Sequence, residues 1–128
     1  MFNLVKIEGG RINVHEPERL TVGSTALAIG TACVLSGGVL AAATGTTKPT
    51  HVTLAAGAAG AEILCGRIES NQVYEVPVSA APASLKVGAK VTLGTAGQQV
   101  TATTTDGVAT IVSLNGATAA GDLVLVRF

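Results

Sequence analysis

The sequence predicts an all-β protein: a small barrel or sandwich of short hairpins with an N-terminal extended arm. Three observations carry that expectation. Alternating and β-branched runs recur along the chain, while helical periodicity is weak throughout. The 128 residues contain 16 glycines, and turn dipeptides punctuate the chain at short intervals. One short unit, a glycine followed by apolar residues three and five positions later, is repeated.

The elements follow in order. Residues 3–8 alternate polar and apolar and stop at Gly9-Gly10; residues 11–15 place Ile12 and Val14 on one face before Glu16-Pro17 breaks the pattern. This charge-rich stretch differs from the Ala/Gly/Thr-rich remainder, so residues 1–20 read as an arm or ribbon and residues 21–128 as a compact β domain. In the body, Leu27-Ala28-Ile29-Gly30 leads to Cys33 and Leu35, and Leu85-Lys86-Val87-Gly88 leads to Val91 and Leu93. Both copies turn on glycines and continue into Ala/Thr strands, residues 39–44 and 100–104. A partial third copy is Gly121-Asp122 with Val124 and Val126. The glycine permits a tight turn into a strand, and a spacing of two puts both apolar residues on one sheet face. Residues 51–55, 62–68 and 72–78 are further strands, and residues 56–61 read as a flexible loop or one short helical turn. Asp106-Gly107 and Asn115-Gly116 are turns, and residues 123–128 close the chain as a pinned strand.

Composition narrows the function. Hydrophobic residues make up 48% of the chain, but the aromatics are only Phe2, Tyr74 and Phe128. A core of Ala, Val, Leu and Ile buries little area per side chain, at roughly 25 cal/mol per Å². Charged residues are only 12% and the formal net charge is zero, which favours burial of surface in a homo-oligomer. No basic patch with interleaved aromatics exists, which argues against nucleic acid. The apolar stretch 26–43 is split by Ser36-Gly37-Gly38 and reads as a hairpin, so no membrane partner is expected. No signal peptide is visible, and assembly in a reducing cytoplasm is the simpler expectation.

No organised chemistry emerges. His15 and His51 read as solvated strand-end residues, too far apart in sequence to suggest a metal spacing. Cys33 and Cys65 read as small buried hydrophobes. A Cys65–His51 nucleophile pair is poorly supported, because the apolar run Ile63-Leu64-Cys65 raises a thiol's pKa. Glycine pairs lack a phosphate-loop pattern. The chain is therefore expected not to be an enzyme and to need no cofactor or metal.

In four features the chain resembles small bacteriophage capsid decoration, or cement, proteins. They are the polar-apolar start from Asn3 to Ile12, the Leu-x-Ile/Val-Gly lead into a glycine-turned hairpin at residues 27–44, and Gly45-Thr46-Thr47-Lys48-Pro49-Thr50 before a strand. The fourth is the ending, residues 100–107 with a terminal Leu-Val-Leu-Val-Arg-Phe. The resemblance implies a β-rich homotrimer on the outer surface of a virion head, assembled in the bacterial host cytoplasm, that clamps neighbouring major capsid subunits. It also implies that the N-terminal segment touches the shell. Leu4, Lys6, Ile7, Glu8, Arg11, Ile12 and Val14 are the expected contacts, pairing with an edge strand of a neighbour. The alternative is a virion fibre or surface-adhesion module binding a host glycan, which calls for an exposed aromatic platform.

Overall fold

The computed structural model describes residues 1–10 and 15–128, and among these it contains strands and turns but no helix. Ten strands make up the described chain. They are β1 (Asn3–Ile7), β2 (Pro17–Val22), β3 (Ala32–Ser36), β4 (Val39–Ala42), β5 (His51–Thr53), β6 (Glu62–Arg67), β7 (Gln72–Pro77), β8 (Lys90–Val91), β9 (Ala109–Ser113) and β10 (Leu123–Arg127). Strands β2-β4-β3-β5-β6 close into a barrel, and β1-β7-β10-β9-β8 form a five-stranded sheet. The all-β expectation holds.

The repeated glycine unit organises both halves. Gly30, Gly60, Gly88 and Gly121 all have positive φ, from +70° to +90°, as the third position of a type II turn requires. Each glycine N–H donates to one carbonyl of another strand, and that same residue's N–H donates back to the residue after the glycine. The four partners are Thr53, Val22, Ile111 and Val78, with all eight bonds between 2.8 and 3.0 Å. Residues 56–61, read from sequence as a loop or helical turn, are thus a further copy of the unit, with Ile63 and Cys65 three and five positions after Gly60. Small side chains hide it: Ala-Ala-Gly-Ala carries no apolar periodicity.

The strand connections repeat as well. In the first barrel β2 pairs parallel with β4 through Thr21↔Val39 and Val22↔Leu40, and β4, β3, β5, β6 and β2 then follow antiparallel. In the second half Val78 bridges Val100 in parallel, Val100 bridges Leu93 antiparallel, and β8, β9, β10 and β7 complete the same circuit. The two halves thus repeat one circuit, with the isolated bridges of Val100 standing in the second where β4 stands in the first. Core positions correspond across the halves: Val22 with Val78, Leu27 with Leu85, Cys33 with Val91, Leu40 with Val100, Ile63 with Val124, and Cys65 with Val126. All twelve are buried. Ala32, Ala43 and Val52 belong to the second half's core cluster, so the outer face of the first barrel packs on its twin. Only methyl-sized groups and a valine intervene, which explains the small-residue composition.

The segment expected as an arm lies largely within this body. β1 pairs antiparallel with β7, with Asn3 opposite Glu75 and Leu4 opposite Tyr74. Pro17 opens β2, as proline's missing N–H allows at a strand start, so the expected boundary at residue 20 falls inside a barrel strand. Phe2 is buried against Tyr74 and Phe128, with ring centroids 6.2 and 5.4 Å away. All three aromatics of the chain therefore meet in one cluster, because a single plug of that size closes the base of the second circuit.

Candidate functional site

The two halves differ most at their bases. Register identifies the equivalent positions: Glu18 and Tyr74 face the equivalent residues Cys65 and Val126. His51 and Ala109 face Cys33 and Val91. Arg67 and Phe128 each lie two residues beyond that cysteine or valine. Where the second half closes with Tyr74, Ala109 and Phe128, the first therefore carries Glu18, His51 and Arg67.

These three side chains form a connected cluster. Arg67 Nε donates to Glu18 Oε1 at 2.8 Å, and its Nη2 reaches Oε2 at 3.4 Å. The Arg67 hydrogen bonds, aided by its charge, hold the Glu18 carboxyl below the usual carboxylate range, outweighing partial desolvation. His51 is 4% exposed, with Nδ1 2.8 Å from Thr50 Oγ1. Its Nε2 has no hydrogen-bond partner among the described residues and lies 3.6 Å from Glu18 Oε1. A buried polar atom without a hydrogen bond costs free energy, and the second half shows that the same circuit closes without it. The polar base is dispensable for folding this topology, which marks it as the candidate functional site.

Two clefts flank the cluster and share Arg67 and Glu69. One, of about 350 Å³, is lined by Glu16, Pro17, Glu18, Arg67, Glu69 and Gln72. The other, of about 670 Å³, runs past Lys48 and His51 and presents Leu35, Pro49, Ile68 and Phe128. No group of three or more metal-ligating side chains occurs among the described residues.

The histidines depart from the sequence reading. His51 is buried instead of solvated. His15 is half-buried and stacked on Tyr74, with centroids 5.6 Å apart and planes at 29°. Its other side lies where a side chain on Gly66 would be, since a Cβ there would come within 2.1 Å of the ring. Burial holds the His15 imidazole below its ordinary pKa, only partly offset by the neighbouring Arg67 backbone, and neither ring nitrogen has a hydrogen-bond partner among the described residues. No sequence periodicity reports these placements, because both follow from contacts between strands distant in the chain.

The cysteines are buried and unbridged. Desolvation raises the Cys33 thiol to about 12 and the Cys65 thiol to about 11. His51 directs its ring nitrogens to Thr50 and Glu18, so it is not paired with Cys65.

The expected shell contacts are dispersed. Leu4 is half-buried and packed on the second core cluster. Ile7 is also half-buried, opposite Gln72. Lys6 and Glu8 are exposed and 3.9 Å apart, and Glu8 also meets Arg127 at 3.3 Å. Arg11, Ile12 and Val14 lie outside the described residues. Compared with known proteins, the chain matches no protein-family model and no curated protein sequence.

Proposed function

We propose that this chain is a structural virion protein without catalytic activity. In this reading it is a decoration or cement module that binds the outer surface of a phage capsid, contacts the major capsid protein and self-associates, as a trimer in the complete assembly. The observation that carries the reading is the character of the body's surface. A closed, duplicated β body presents few charges and exposes Ile29, Leu35, Val39, Leu64, Val87 and Leu123. Such a surface suits a part that gains stability by being covered. The sequence resemblance supplies the capsid as the surface to be covered. On this reading the exposed Lys6 and Glu8 of β1 set orientation at the rim of the contact, where charges fix register more than they add affinity.

The glycan-binding alternative calls for an aromatic platform on the surface, whereas Tyr74 is buried. Co-sedimentation of the purified protein with expanded phage heads, followed by imaging of the particles, tests the proposal. Stoichiometric, saturable decoration is the expected result. Heads that remain bare at saturating protein would overturn it.

A further inference from the structure

The duplication gives each half a tip, the glycine turn before its second strand, and a socket, the base described above. Within the chain one tip and one socket are already joined. Phe2 N–H donates to Gly30 O in the first half's tip, while the Phe2 ring plugs the second half's base against Tyr74 and Phe128. The remaining tip and the remaining socket are unmatched.

That free tip is the Lys86-Val87-Gly88 turn. Val87, at 67%, has the highest exposure among the exposed large apolar side chains, and Lys86 and Lys90 beside it are exposed and without ion pairs among the described residues. The free socket is the first half's base, with Glu16, Glu18 and Glu69 lining the smaller cleft. Glu18 is engaged by Arg67, but Glu16 and Glu69 have no ion pair among the described residues. The buried His51 Nε2, aimed at the Glu18 carboxylate without a hydrogen bond, indicates independently that this base is built for contact and not for stability. Apolar Leu35, Pro49 and Ile68 continue the surface in the adjoining cleft, where Lys48 is the one further cation.

We propose that the occupant of this base is a second copy of the chain, which docks its Lys86-Val87-Gly88 turn there. Lys86 approaches Glu16 and Glu69, and Val87 covers the apolar strip. The contact is head-to-tail, so it closes into a ring if the rotation permits. It repeats between chains the tip-to-socket relation that Phe2 mediates within one. The inference rests on the self-association part of the proposed function and is independent of the capsid.

Sedimentation velocity over a concentration series, with no capsid present, tests it on the full chain, Glu69→Lys, Lys86→Glu and the double variant. The wild type should self-associate, more weakly at high salt. Each single reversal should weaken association on the order of tenfold, since it replaces attraction with repulsion, and the double variant should recover most of that loss. A wild type that associates while ignoring both reversals sinks this contact and leaves self-association standing. A wild type that stays monomeric at every concentration sinks this contact, while self-association on the capsid is read separately from the imaged particles, and a double variant no better than the singles refutes the pairing of these two residues. Circular dichroism on each variant confirms that the fold is retained.

Discussion

Phe2→Ala separates a docked N-terminus from a free arm more directly than any other single change. Phe2 is 3% exposed and packs on Tyr74 and Phe128, so truncation empties the plug beneath the second circuit. Burying and then deleting such a ring costs about 3–5 kcal/mol in protein cores. A position next to the terminus relaxes more readily than mid-chain core, which puts the expected loss near the lower end, about 3 kcal/mol. That is a large share of a domain stability of about 5–15 kcal/mol. At roughly 4 °C per kcal/mol for a chain of this size, the melting temperature should fall by about 10 °C. Urea titration followed by far-UV circular dichroism measures it, with an unchanged slope showing that the same surface unfolds. Lys6→Ala, on the exposed side of β1, should stay within about 0.5 kcal/mol of wild type. If Phe2→Ala cost under about 1 kcal/mol, residues 1–7 would be an arm after all. Deleting residues 2–14 distinguishes the same two arrangements. A free arm could be removed with the body intact, whereas loss of β1 and Phe2 strips a strand from β7 and should destabilise it.

Two further outcomes follow from the titratable groups. His15 is held below its ordinary value of 6.5 by burial, so the folded protein binds fewer protons than the unfolded chain. Its contribution is complete above about pH 6.5 and is lost as the pH falls from there through the folded value. Urea midpoints should therefore drop as the pH falls below about 6.5, ahead of the loss from Glu18 and Asp122, both lowered carboxylates. His15→Gln should flatten that slope, and parallel slopes for the two proteins would count against the stacked, buried ring. The thiols behave in the opposite sense: their raised values mean stability is full below about pH 9 and declines as the pH rises above it. Cys33→Val, which installs the residue found at the equivalent Val91, should change stability by less than about 1.5 kcal/mol and weaken the alkaline loss. Prompt reaction of either cysteine with a thiol reagent in the folded protein at neutral pH would contradict their burial.

Local chemistry made much of this fold legible. The glycine unit at Gly30, Gly88 and Gly121 is visible because a positive-φ turn before a half-buried strand demands a glycine and a two-residue apolar spacing, and both are properties of a few adjacent residues. The turns at Asp106 and Asn115, each with positive φ, are legible for the same reason. The copy at Gly60 escapes notice because alanines at its flanks leave no contrast for a pattern to show. Tertiary structure alone decided the rest. Pairing of β1 with β7 joins residues about 70 positions apart, and an alternating strand looks the same whether it pairs within its own chain or with another. The Glu18–His51–Arg67 base belongs to the same class. Three strands bring its members together, and nothing near Lys48-Pro49-Thr50-His51 tells a buried imidazole from a solvated one. Sequence determined where the chain turns and which side of each strand is apolar, because those depend on local backbone sterics and side-chain period. Which circuits close, what plugs each base and which polar groups are stranded inside depended on packing between distant segments, and only the folded chain supplies that.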